Sequence, residues 1–129
     1  MQVAGYTLLE LVVVLVLMGL LMGVATPKVI QLYRSVEFSL EKDDILFQLS
    51  RLSFNVYKSG RAFELQNLAS EDNNTFITLP EGWEFDALQS SNITFSPLGY
   101  CDGGQARFVK QNRELIVSLS APSCSPEVL

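Results

Sequence analysis

The feature that most constrains this chain is an apolar run near its start, Leu11 to Ala25, which contains no charged residue. Counted from Tyr6, the stretch to Ala25 has 20 residues. As a helix it would be about 30 Å long, enough to cross the hydrocarbon core of a bilayer. Glu10 stands at its head. A charge at the centre of a bilayer costs on the order of 3 kcal/mol even on lenient insertion scales. A plain anchor has no use for such a residue, so the sequence predicts a partner for Glu10.

The chain has 129 residues, room for one modest domain besides the apolar segment. Its positive mean hydropathy of +0.24 comes largely from the N-terminal third. From Ala62 onward nine acidic residues stand against three basic ones, Arg107, Lys110 and Arg113. An acidic surface does not attract phosphate backbones, which argues against nucleic acid as a partner. Histidine is absent, and with it the commonest general base and metal ligand. Both cysteines, Cys101 and Cys124, come late in the chain. If the domain is exported, they are expected to form a disulfide. That bond would close a loop of a little over 20 residues and stabilise the fold by roughly 3 kcal/mol in the chain-entropy model. A domain of about 70 residues buries a limited core, so such a staple would matter. The alternative is two free thiols, one buried and one in a loose tail.

Three readings compete for the first 25 residues. A cleaved secretory signal fits the apolar run, and Gly23-Val24-Ala25 passes loosely as a small-residue cleavage site. Against it, Glu10 lies where such a peptide is apolar, and Met1 to Ala4 has no Lys or Arg. A plain transmembrane anchor has the right length but leaves Glu10 unexplained. The third reading rests on the order Gly5-Tyr6-Thr7-Leu8-Leu9-Glu10 ahead of the apolar run. That order resembles the processing site of type IV prepilins and type II secretion pseudopilins. Those proteins carry a Gly, an aromatic, Thr, two aliphatics and Glu, then an apolar helix. The resemblance implies cleavage between Gly5 and Tyr6 by a membrane prepilin peptidase, and methylation of the new amine on Tyr6. It also implies an assembly role for Glu10, whose carboxylate would pair with that amine on a neighbouring subunit. This reading accounts for Gly5, Glu10 and the short leader together.

Gly19 and Pro27 fall where pilin-like anchors commonly carry a helix-loosening Gly and Pro, and the resemblance implies helix flexibility there. Taken alone, Gly is common in membrane helices, and Pro27 would simply mark the membrane exit. One departure is plain. Leaders of this kind usually have Lys or Arg before the Gly, whereas this one reads Met-Gln-Val-Ala-Gly, and Lys28 and Arg34 follow the run. The expectation is a start upstream of Met1, or an orientation set by other features.

From Lys28 to Lys58 the apolar residues recur with helical period. Val29, Tyr33, Val36 and Leu40 form one stripe, and Ile45, Leu49, Leu52 and Val56 another, rotated after Glu41-Lys42-Asp43-Asp44. Ser59-Gly60 supplies a C-cap. The sequence therefore predicts one kinked helix from Tyr6 to Lys58. After Gly60 the period becomes two. Strands are predicted at Ala62 to Leu65, Thr75 to Leu79, Trp83 to Phe85, Asn92 to Phe95, Ala106 to Lys110 and Leu115 to Leu119. Turn-rich stretches separate them, and Gln111-Asn112-Arg113 reads as a hairpin. The predicted fold class is α+β: a long N-terminal helix, half membrane and half amphipathic, packed on an antiparallel β-sandwich-like domain. The parts are a leader over 1–5, a membrane and assembly helix over 6–27, its amphipathic continuation over 28–60 and a β domain over 61–129.

Little else carries chemistry. Gly103-Gly104 lacks the spacing, the lysine and the following helix of a phosphate loop, and reads as a turn into a strand. Glu81, Glu84 and Asp86 flank Trp83. On a strand Glu84 and Asp86 share a face, which reads as a solvated acidic edge before a cation site. No histidine is present to activate a serine or a cysteine. The expectation is no enzyme, no cofactor, no metal and no small-molecule substrate.

A second resemblance lies late in the chain. Ile93-Thr94-Phe95-Ser96-Pro97-Leu98-Gly99, then Cys101-Asp102-Gly103-Gly104 and a hairpin return, looks like the C-terminal signature of H-type minor pseudopilins and FimT-type minor pilins (the GspH/FimT family). Together the two resemblances imply a minor pseudopilin, a structural subunit of the type II secretion pseudopilus. It would be anchored once in the inner membrane with its C-terminal domain in the periplasm. Its partners would be the prepilin peptidase and other major and minor pseudopilins. The alternative is a minor pilin of a type IV pilus, including a FimT-like pilin for DNA uptake. That variant should carry clustered Arg or Lys near the C-terminus, whereas Ser118 to Leu129 has none and has Glu127.

Overall fold

A computed structural model describes residues 5–70 and 76–129. The predicted leader positions Met1 to Ala4, and Glu71 to Thr75 of the predicted turn and strand, lie outside the described residues. The chain divides into two compact units, Met1–Ser39 and Leu40–Leu129, each taken here by itself. Helix α1 runs over Leu8–Ser59 and contains Pro27.

The first unit is helical from Leu8. None of its described side chains is buried, and Leu11 through Val24 present their apolar surface outward. Exposed aliphatics in such numbers have no counterpart on an ordinary water-facing helix. By length and composition, α1 is the one helix among the described residues able to cross a membrane. Pro27 has no N–H to give to the Gly23 carbonyl. One residue earlier, the Thr26 hydroxyl donates to the Met22 carbonyl at 2.6 Å.

In the second unit the helix buries the stripe Ile45, Leu49, Leu52 and Val56, all fully inaccessible. Its end is capped as the Gly suggests. Gly60 takes a φ of 69° and its N–H reaches the Val56 carbonyl at 3.1 Å, the left-handed stop that only glycine adopts at no steric cost.

Among the described residues six strands follow, all in antiparallel pairs. β1 (Phe63–Glu64) pairs with β3 (Thr94–Phe95) in a two-stranded sheet. β2 (Glu84–Phe85), β4 (Gly104–Lys110), β5 (Arg113–Ser120) and β6 (Ser125–Val128) form a second sheet in that order. The β4–β5 hairpin closes tightly, with Lys110 opposite Arg113 and Gln111 at a φ of 53°. On β5, Leu115, Val117 and Leu119 alternate inward, and Ala106 and Phe108 do so on β4. With the helical stripe, Phe63, Leu65, Ile93 and Phe95 they make the core. The predicted α+β architecture of one long helix and antiparallel sheets is the observed one.

The differences are local. The helix begins at Leu8 and ends at Ser59, two residues later and one residue later than predicted. The first strand is cut short because Leu65–Ala69 turns into a 3-10 helix. The second and third predicted strands that are observed, β2 and β3, shrink to two residues each. The strand predicted at Thr75 to Leu79 is not one over its described residues. Ile77 is buried there, but its neighbour Thr78 finds its partner in a side chain. The Gln48 amide accepts from the Thr78 N–H and donates to the Thr78 carbonyl, both at 2.8 Å. A helix glutamine thus supplies the two bonds that a neighbouring strand would have supplied. β6 was not predicted. Pro126 and the polar Ser125 and Glu127 hide it, because an edge strand needs neither alternation nor every N–H.

Cys101 and Cys124 are joined in a disulfide, with Cα atoms 6.1 Å apart. Around it the Cys101 N–H bonds the Pro122 carbonyl at 2.9 Å and the Cys124 N–H the Ser120 carbonyl at 2.8 Å. Gly103 passes so close to this loop that a Cβ would lie 2.9 Å from the Leu119 carbonyl and the Ala121 nitrogen.

Candidate functional site

Gly5, Tyr6 and Thr7 precede the helix and are exposed, Tyr6 to 82%. A Cβ on Gly5 would meet nothing within 4 Å. The smallness of Gly5 is therefore not demanded by packing within this chain. Thr7 is the N-cap of α1. Its hydroxyl accepts from the Glu10 N–H at 3.3 Å, and its carbonyl accepts from the N–H groups of Glu10 at 3.1 Å and Leu11 at 3.3 Å. Thr7-Leu8-Leu9-Glu10 has the spacing of a capping box. That pattern stands in the sequence, but a reading that took Glu10 only as a misplaced membrane charge passed over it.

Glu10 therefore has a local use. In the first turn its negative charge faces the positive end of the helix dipole, worth about 0.3–1 kcal/mol. That is a fraction of the roughly 3 kcal/mol a mid-bilayer charge would cost. Among the described residues the Glu10 carboxylate has no hydrogen-bond or ion-pair partner. A segment with this form offers an accessible peptide on the N-terminal side of a helix that is already capped. Cutting between Gly5 and Tyr6 would remove nothing that holds the helix start. It would place an amine one residue ahead of the cap.

Gly19 and Pro27 both lie inside α1, and a Cβ on Gly19 would also meet nothing within 4 Å. Among the described residues no group of three His, Cys, Asp or Glu is placed so that it could hold a metal ion. Glu84 sits on β2 opposite Val109. Asp86 accepts from the Leu88 and Gln89 N–H groups at 3.2 Å and lies 4.0 Å from the Arg107 Nε.

The polar centre of the second unit is one that sequence reading missed. Glu41 accepts from the Trp83 indole N–H at 2.8 Å and from the Lys110 ammonium at 2.7 and 2.6 Å. All of these groups lie partly out of water. The Lys110 hydrogen bond, and after it that of Trp83, hold the Glu41 carboxyl below its ordinary value of 4.5, with partial burial working against them. Trp83 and Lys110 are 42 and 69 positions from Glu41 in sequence, so no local spacing announced them. Arg107 is engaged by Glu114 and Gln89 as well as Asp86. Two of the three basic residues after Ala62 are thus already committed to acids.

Compared with known protein families, residues 1–26 match the prokaryotic N-terminal methylation motif, a type IV pilin-like prepilin signal. No curated protein and no solved structure matches the chain.

Proposed function

We propose that the chain is a structural subunit of a pilin-like filament, a minor pseudopilin of the type II secretion pseudopilus. The observation that carries this is the methylation motif over residues 1–26 seated on an exposed Gly5-Tyr6 peptide ahead of the capped apolar helix. A prepilin peptidase cuts after Gly5 and methylates the Tyr6 amine. Glu10 then serves a neighbouring subunit: its carboxylate pairs with the Tyr6 amine there, since an unpaired charge in apolar surroundings is costly and a hydrogen-bonded pair much less so. Gly19 and Pro27 give the helix room to adjust as subunits pack. The inner membrane holds the apolar half, and the disulfide-bonded domain stands in the periplasm.

The assignment to pseudopilins of the H type rests on the Ile93 to Gly104 segment. There Phe95 pairs with Phe63 and bridges to Cys101, and Gly103 packs against the Ala121 backbone. The commitment of Arg107 and Lys110 to acids supports protein assembly over DNA binding. The chain is no catalyst in this reading; it is the substrate of its peptidase.

The test is expression of the full chain in cells with and without a prepilin peptidase, followed by intact mass. Loss of residues 1–5 and gain of one methyl group are expected only with the enzyme. A mass unchanged by the enzyme, or Gly5→Val cut as well as wild type, would sink the proposal. Glu10→Gln keeps the capping spacing and removes the charge, so it should be cut normally yet fail to co-purify with neighbouring subunits.

A further inference from the structure

The cut proposed above needs a free Gly5 carbonyl, and the first turn of α1 shows what keeps it free. Each carbonyl of an α-helix accepts from the N–H four residues on. The last to do so toward the N-terminus is that of Thr7, which accepts from the Leu11 N–H at 3.3 Å. Growth of the helix by one residue would need the Glu10 N–H to reach the Tyr6 carbonyl. Growth by two would need the Leu9 N–H to reach the Gly5 carbonyl. The Glu10 N–H is already taken: both oxygens of Thr7 accept from it, the hydroxyl at 3.3 Å and the carbonyl at 3.1 Å. The hydroxyl therefore occupies the donor on which the first added bond depends. Packing does not oppose growth among the described residues, since Tyr6 is 82% exposed and a Cβ on Gly5 would meet nothing within 4 Å. In apolar surroundings a helix end favours any bond that satisfies its backbone internally.

Hydrolysis adds water across the Gly5–Tyr6 peptide and leaves the Gly5 carboxylate and the Tyr6 amine. It proceeds through attack on the Gly5 carbonyl carbon, and the enzyme must place donors where charge develops on the Gly5 oxygen. An oxygen bonded inside a helical turn is withheld from those donors. We infer that Thr7 is a positioning residue for the cut: its hydroxyl, as the cap of α1, holds Gly5 and Tyr6 outside the helix in the form that the peptidase binds. The inference rests on the prepilin reading above, and the motif matched over residues 1–26 marks this peptide as the one an enzyme meets. It is the capping oxygen that matters, not the shape of the side chain. Ser and Asn cap a helix as well as Thr or better, whereas Ala and Val cap poorly, although Val has the shape of Thr. Without the cap the helix advances, and the fraction of chains in the binding-competent form falls. Apparent affinity falls in proportion to that fraction, so KM rises by up to about fivefold, the equivalent of the roughly 1 kcal/mol carried by a cap. The turnover number stays unchanged, because the bound chain is the same.

The test is cleavage of the full chain in detergent by a purified prepilin peptidase, over a range of substrate concentrations. Wild type is compared with Thr7→Ser, Thr7→Asn, Thr7→Val and Thr7→Ala. The Ser and Asn variants should keep the wild-type KM, the Val and Ala variants should raise it several-fold, and kcat should be the same in all. Thr7→Val cut like wild type would overturn the inference. So would Thr7→Asn impaired as much as Thr7→Val, because the enzyme would then be reading the shape of threonine. A fall in kcat at unchanged KM would overturn it as well, by setting Thr7 against the reacting atoms. A second arm needs no enzyme. The carbonyl-carbon NMR shift of Tyr6 in the solubilised chain should move to helical values in Thr7→Val and stay at its wild-type value in Thr7→Asn. The same shift in both variants would refute the cap. A wild-type chain left uncut would refute the prepilin reading while the carbonyl shifts still judged the cap, so the two failures are distinguishable.

Discussion

Replacing Glu41 with Ala tests whether one carboxylate ties the helix to the sheet of the second unit. The change removes the acceptor of the Trp83 N–H and the counter-ion of Lys110. Exposed ion pairs are worth at most about 1 kcal/mol, and breaking a fully buried one costs about 3–5 kcal/mol. With side-chain exposures of 18% for Glu41 and 21% for Lys110, this pair lies between those limits, so a loss of about 2 kcal/mol is expected. For a domain of this size that lowers Tm by about 8–16 °C. The chain has one tryptophan, and it is the bonded one, so its fluorescence in detergent-solubilised protein follows the event directly. The pH dependence has a definite sign. A carboxyl held below its ordinary value stabilises the fold above about pH 4.5 and loses that contribution as pH falls through the depressed value. Wild type should therefore lose stability over acidic pH more steeply than Glu41→Ala. A Tm drop of under about 3 °C, or parallel acid profiles, would refute the reasoning. So would a double-mutant cycle with Lys110→Met that gives no coupling.

Four further outcomes are expected. Leu49→Ala empties a fully buried site on the core stripe and should cost about 2–5 kcal/mol in denaturant unfolding. Cys101→Ser with Cys124→Ser should destabilise by about 3 kcal/mol, read as a lower midpoint under conditions that leave wild type oxidised. Gly103→Ala places a methyl 2.9 Å from two backbone atoms at a φ of 73°, so it should cost about 1–3 kcal/mol and perturb the Ala121–Ser123 amides in NMR spectra. Gln48→Leu removes both bonds to Thr78, and hydrogen exchange at the Thr78 amide should accelerate while Leu52 stays protected.

The helix, the hairpin and the disulfide were legible because each is written locally or by counting. Ile45, Leu49, Leu52 and Val56 keep one period, Gln111-Asn112 joins two alternating runs, and two cysteines leave one pairing. What escaped is long-range or edge-bound. The Glu41–Trp83–Lys110 cluster joins residues from a helix, a turn and a strand end, and no spacing encodes it. β6 carries a proline and almost no apolar pattern, because the only thing asked of it is to cover the edge of β5. Thr75 to Leu79 alternates like a strand, yet over its described residues a glutamine side chain takes the place of the neighbouring backbone. At the candidate site the case is different: the Thr7 cap was spelled in the sequence, and the attention drawn by the charge on Glu10 obscured it.

That glutamine has a use for anyone who engineers the protein. Ser70 closes the 3-10 helix through its N–H to the Asn67 carbonyl, and Thr78 is fixed on both its N–H and its carbonyl by Gln48. Ile77, the neighbour of Thr78, thereby keeps its buried place through one helix side chain instead of a ladder of backbone bonds. A single substitution at position 48 would release the N–H and the carbonyl of Thr78 together, which no single substitution could do to a residue paired in a strand.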